Sequence, residues 1–301
     1  MANDPRLTEH FQKGVLSVTK GSQSIYYEIL SALSSKRGSV IGRHGTLEFT
    51  VMYNILRKQP IQDYYLQQLE RNAGIFPYGQ CEASSWAKVY YDAMREADMM
   101  AGGWYSPIAK AELSLLDIHK IPVIPLRSLE PYYIEEPWIR ALERHRVTVV
   151  SSFADTMRKQ LERASVIWGS RSNALLPHSV QWSFVRSYYS PVLAGDKPCR
   201  WSVENWKEAV EYLILEVLKT NAEIVLLGCG GLAMPLAAEL KKRGLVCIVL
   251  GGAIQNLFGI KGKRWEGHSV IGGFWNDAWV SPSDDEIPAG ASLIEGGCYW
   301  F

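Results

Sequence analysis

Four short segments of this 301-residue chain hold residues whose types and spacing can do chemistry. In GRHGTLE, Gly42 and Gly45 let backbone approach a ligand closely, and Arg43 can pair with a phosphate through its planar fork of donors. His44 lies inside the same loop. Glu48 falls in the first turn of the following helical pattern, where a carboxylate suits the helix dipole and can also take a proton from a hydroxyl. In GCGGLAMP, Gly228, Gly230 and Gly231 form a glycine-rich turn of the kind that cradles phosphate at a helix start. In GGAIQNLFGIKGKRWEGH, Lys261, Lys263 and Arg264 put three cations in four positions, enough to neutralise a diphosphate or simply to make a solvated basic loop. In SSFADTMRKQ, Asp155 can open a helix as its N-cap or act as a catalytic carboxylate.

These segments share one context: each follows an apolar run that reads as a strand. SVIG, IPVIPL, VTVVSSF, AEIVLLG and LVCIVLG are rich in β-branched and apolar residues, and ADMMAGGW reads as another strand ending in glycine. Helical periodicity fills the intervals: 25–33 within an N-terminal helical segment (1–37), then 43–58, much of 61–98 around a loop at 72–79, and 107–117, 137–144, 155–163, 203–220 and 233–243. Residues 165–202 mix Ser, Pro, Trp and Tyr and give no clear element, and the last fifty residues hold only a brief helix near 253–258. Strands alternating with helices predict a single α/β domain over 38–301, with a doubly wound, mostly parallel Rossmann-like sheet and helices on both faces. Such sheets bind ligands at the carboxyl ends of their strands, where the four segments fall.

Composition narrows the function classes. With 32 Lys plus Arg against 31 Asp plus Glu, the net charge of +1 does not suggest a nucleic-acid binder. No run reaches the roughly 18 apolar residues of a membrane span, and the start lacks a signal-peptide core, so a cytoplasmic location is expected. Five scattered cysteines form no C-x-x-C pair and suggest neither a disulfide framework nor a zinc site. There is no Walker loop, G-x-S-x-G or H-E-x-x-H. The 11 Trp and 15 Tyr include many beside Gly, Pro or Asn, where a flat ring can meet the apolar face of a sugar or fill a core. A dinucleotide or S-adenosylmethionine site would also place an acidic residue about 20 residues beyond the glycine loop to hold a ribose, and LVCIVLGGA supplies none.

The run SVIGRHGTLE resembles the strand-loop-helix opening of the GT-D-type glycosyltransferases, with their G-R-x-G-x-x-E pattern. NAGIFP, LRSLEPYYIEEPW, VVSSFADTMRKQ, VLLGCGGLAMPLAAELKKRG, GGAIQNLFGIKGKRW, NDAWVSP and EGGCYW continue the resemblance in order over residues 38–301, among glycosyltransferases of bacteria and large DNA viruses. The resemblance implies a nucleotide-diphosphate sugar donor, UDP- or GDP-linked, and a glycan or other hydroxyl acceptor. With the donor in the loops singled out above, their residue types assign its phosphates to Gly42, Arg43, Gly45, Gly228, Gly230, Gly231, Lys261, Lys263 and Arg264. Sugar and acceptor pockets fall to His44, Trp104, Trp265, Asn276 and Trp279, with Glu48 leading Asp155 as base. Better-known members carry an acidic pair, D-x-E, linked to a divalent cation such as Mn or Mg. Here Thr46 stands in the Asp position, leaving Glu48 as the one carboxylate for any metal. Two rival readings are a methyltransferase using the GCGG loop and a sugar-binding module whose catalytic centre has decayed.

Overall fold

The computed structural model describes residues 17–195 and 201–300. Seven strands run in chain order as β1 (Ser39–Arg43), β2 (Met99–Ala101), β3 (Val123–Ile124), β4 (Arg146–Ser151), β5 (Gln181–Arg186), β6 (Ile224–Gly228) and β7 (Val246–Val249). They form one sheet in the order β3-β2-β1-β7-β6-β4-β5, with every pairing parallel. The fold is therefore α/β with a doubly wound, Rossmann-like sheet.

Burial on both faces explains the unbroken apolar runs of the central strands. Val40, Val150, Val225, Leu227, Cys247 and Val249 point into one core layer. Their chain neighbours Ile41, Val149, Leu226, Val246 and Ile248 point into the other, as the two-residue strand period requires. The first layer is closed by α2 (Thr46–Leu56), α3 (Asp63–Ala73), α4 (Gln80–Arg95), α10 (Trp206–Lys219) and α11 (Ala233–Lys241). The second is closed by α1 (Val18–Ser34), α7 (Ala154–Leu161), α8 (Ala164–Trp168) and α12 (Ile254–Leu257), so the N-terminal helix shares the core of the sheet through Ile25 and Ile29. Other helices are α5 (Ser106–Ile118), α6 (Leu126–Leu129) and α9 (Ser172–Leu175).

Two differences from the sequence reading have local causes. The segment 165–202 contains the edge strand β5, whose side chains are mostly half-buried, so QWSFVR never shows the continuous apolar run of an inner strand. The pattern at 137–144 becomes a 3-10 turn at Trp138–Leu142, led in by Pro137. Residues 1–16 of the expected N-terminal helical segment, and the end of the turn at Ala194–Pro198, lie outside the described residues. For the site, the decisive feature is register. In β1, Arg43 sits opposite Ala101 of β2, and Ile41 opposite Ile248 of β7, so the loops after these three strands open side by side.

Candidate functional site

Arg43 is the last residue of β1, and its half-buried side chain emerges between the loops after β2 and β7. Its guanidinium carbon lies 4.9 Å from the centroid of the Trp104 ring, and its Nε donates to the His44 carbonyl at 3.2 Å. A Cβ at Gly251, in the turn after β7, would lie 3.7 Å from Arg43 Nη1. Among the described residues no carboxylate forms an ion pair with Arg43, which leaves its charge available to a ligand. The following helix, α2, starts at N-cap Gly45 with no side-chain cap. Glu48 folds back there instead, its carboxylate accepting from its own amide.

Burial raises the pKa of Glu48, against its amide bond and the charges of Arg43 and Arg264; Glu295 adds to the rise. Contacts of Arg264 and Tyr299 bring residues 295–299 to the Gly251–Gly252 turn beside Arg43. Arg264 Nη1 donates to the Tyr299 hydroxyl at 2.7 Å, its Nη2 is paired with Glu295, and its guanidinium stacks on the Tyr299 ring at 4.4 Å. Tyr299 in turn packs on Gly252, where a Cβ would lie 2.5 Å from its Cε1. Burial lifts the Tyr299 hydroxyl to about 12, against the charge of Arg264. His44 is fully buried, with Nδ1 3.3 Å from the Tyr90 hydroxyl. Burial, helped by Arg43, lowers its pKa to about 3, so the imidazole is neutral.

Contacts and charge influences thus link Arg43, His44, Gly45, Glu48, Trp104 and Arg264 in one neighbourhood. Gly42 is a packing position, since a Cβ there would meet Met234 Sδ at 2.9 Å. The GCGG turn is packed from behind: a Cβ would come 2.6 Å from Ile254 Cγ2 at Gly228, 2.9 Å from the Ala73 carbonyl at Gly230 and 3.1 Å from Ala73 Cβ at Gly231. The Gly231 carbonyl also accepts from Trp86 Nε1 at 2.9 Å. Close packing against Ile254 and Ala73 gives these glycines a structural role of their own. Lys261 lies over Trp275 and Lys263 is exposed. Trp265 is buried against Tyr299.

Three further candidates have structural partners. Asp155 is held by Arg158 at 2.9 Å and Arg186 at 3.1 Å, at the β4–β5 end of the sheet. Asn276 donates to the carbonyls of Val166 and Ile167 and accepts from the Ala278 amide. Trp279 is buried against Trp168 and Trp275. Conversely, Glu112, Tyr90, Glu295 and Tyr299 belong to the neighbourhood of Arg43 or Glu48 without having been singled out. Glu112 was detectable, because it occupies the buried stripe Ala109–Glu112–Leu116 of α5, where an acid is out of place.

No protein-family profile and no curated protein matches the chain. A solved structure with 14% identity and a TM-score of 0.42 spans 85% of this chain and 87% of its own, and is described as "The highly conserved domain of unknown function 1792 has a distinct glycosyltransferase fold". Another, a selenomethionine-substituted structure of the domain of unknown function 1792, has 14% identity and a TM-score of 0.38, covering 79% and 83%. The chemistry is therefore read from this chain's own residues.

Proposed function

We propose that the protein is a GT-D-type glycosyltransferase, moving a sugar from a UDP- or GDP-linked donor to a hydroxyl of a glycan or another acceptor. One observation carries this reading: the unpaired, half-buried guanidinium of Arg43, held on Trp104 beside the uncapped start of α2 and the Gly251–Gly252 turn. A leaving nucleoside diphosphate needs fixed positive charge and free amides in a partly dry site, where each is worth more than in water. Arg264 supplies a second guanidinium to the same neighbourhood once it exchanges Glu295 for phosphate, and Lys261 and Lys263 border the loop that carries it.

Glu48 serves as the base toward the acceptor hydroxyl, its basicity increased by burial. Asp155, tied up by two arginines, is the weaker candidate. His44, neutral and buried, and Trp104 shape the sugar end. Among the described residues no three His, Cys, Asp or Glu side chains converge as a metal cage. A divalent cation shared with donor phosphates needs only one or two carboxylates, and Glu48 is the one that would meet it; no step here uses such an ion. No described helix is long and apolar enough to cross a membrane, and the near-neutral charge suits a small-molecule donor better than a nucleic acid; we place the reaction in the cytoplasm.

The test is a thermal-shift screen with UDP, GDP, their sugar conjugates and S-adenosylmethionine, with and without Mn. A ligand at a hundred times its dissociation constant stabilises by about 2.7 kcal/mol. Stabilisation by one nucleotide family, followed by turnover of its sugar conjugate, supports the reading. Binding without turnover favours the decayed sugar-binding module, and a response to S-adenosylmethionine alone overturns the proposal.

A further inference from the structure

Glu112 has no part in the reaction as written, yet it bonds the residue that precedes Trp104, the ring under Arg43. Its side chain is fully buried on the sheet-facing side of α5, a costly place for a carboxyl group. Oε2 accepts the Gly103 amide at 2.7 Å, and Oε1 has no hydrogen-bond partner among the described residues. The loop it grips is tightly seated. A Cβ at Gly102 would lie 3.0 Å from Leu116 Cδ1 and 3.5 Å from the Glu112 carboxyl, and Gly103 sits at φ +73°, a conformation that favours glycine. Trp104 follows at once, with the Arg43 guanidinium on its ring.

We propose that Glu112 is a positioning residue for the anion site: by fixing the Gly103 amide it fixes the plane of Trp104, and so aims the guanidinium of Arg43 before any ligand arrives. The inference rests on reading Arg43 as the diphosphate-binding group. It explains why an acid persists in an apolar stripe, since an apolar side chain there would fill the same space without the desolvation cost but would release the Gly102–Trp104 loop. It also explains why the Arg43 side chain needs no carboxylate partner of its own to stay in place.

The experiment is calorimetric titration of the full chain with inorganic pyrophosphate, UDP and GDP. It compares wild type, Glu112→Gln, Glu112→Leu, Arg43→Ala and the Glu112→Leu/Arg43→Ala double variant, with Glu112→Ala replacing Leu if Leu does not fold. Glutamine can still accept the Gly103 amide, so it should bind pyrophosphate within about threefold of wild type, whereas leucine should bind roughly ten- to thirtyfold more weakly. In the Arg43→Ala background the leucine substitution should add less than about twofold, because its effect runs through that arginine. A leucine variant as tight as wild type, a loss that persists without Arg43, or pyrophosphate binding indifferent to Arg43→Ala each overturns the assignment. Arg43-dependent pyrophosphate binding with the expected Glu112 pattern, but no gain from a nucleoside, supports the assignment while overturning the glycosyltransferase reading.

Discussion

The carboxyl of Glu48 turns back over Gly45 so closely that a Cβ there would lie 1.8 Å from Glu48 Oε2 and 2.5 Å from its Cδ. Gly45 has an ordinary φ of −76°, so glycine is needed for space and not for conformation. Alanine would fit the backbone and would evict the carboxyl, which can swing into solvent. Gly45→Ala should therefore fold with a melting temperature within a few degrees of wild type, yet lose activity by about a hundredfold, the scale of a displaced general base. Thermal melts and kcat on the same preparation check this. An active Gly45→Ala enzyme would remove Glu48 from the mechanism.

The Arg43 guanidinium lies over the Trp104 ring, its carbon 4.9 Å from the centroid, and a planar fork on an aromatic face is an arrangement that lysine does not copy. Arg43→Lys and Arg43→Ala should both weaken nucleoside diphosphate binding by about tenfold or more, with lysine recovering little. Titration with UDP and GDP decides it. Full recovery by lysine would mean that only charge matters and that the Trp104 platform is incidental.

What the sequence disclosed follows from how local each signal is. Strand β1 and its GRHGTLE loop are contiguous, so the turn and the places of Arg43 at the strand end and Glu48 in the first helical turn could be read from spacing. The partners of Arg43 are not contiguous: Trp104 arrives through β1–β2 register, and Gly251 through β1–β7 register. Glu295 and Tyr299 come from the far end of the chain, and nothing in EGGCYW announces that it will fold onto Gly252 and Arg264. The glycines of GCGG read like a cradle because close approach to a phosphate and close approach to Ala73 make the same demand on a side chain: that there be none. Strand β5 escaped notice because an edge strand needs only one partner and tolerates half-exposed residues.

Two buried titratable groups give the stability a distinctive pH dependence. Burial raises Glu112 from 4.5 to about 7, against the Gly103 amide and Arg43. As pH rises from 4.5 to 7 the unfolded chain ionises first, so this group removes up to about 3 kcal/mol of stability across that window and no more above it. His44 works in the opposite sense: with its pKa lowered from 6.5 to about 3, it costs stability as pH falls below 6.5. Glu112→Gln should therefore gain on wild type between pH 4.5 and 7.5, measured by urea unfolding, and the gap should stay constant above that. A difference that is flat with pH would mean that Glu112 ionises normally.

The helix start that carries Asp155 is capped from an unexpected distance. Phe153, its N-cap, offers no side-chain bond, and the amides of Asp155 and Thr156 donate to Glu286 Oε1 at 2.9 and 3.2 Å. Glu286 is fully buried and also accepts from the Thr156 and Ser283 hydroxyls and the Ser283 amide, fastening the C-terminal segment to α7. Because that work is done by Glu286, the Asp155 carboxylate is free to bind Arg158 and Arg186. Glu286→Ala would strand several buried donors at once and should cost about 3 kcal/mol or more in chemical denaturation. Asp155→Asn breaks only half-exposed ion pairs and should cost about 1 kcal/mol or less. Its kcat should fall less than about tenfold, against a hundredfold or more for Glu48→Gln, if Glu48 is the base. The reverse ranking of Asp155→Asn and Glu48→Gln in kcat would move the base to the β4–β5 end of the sheet.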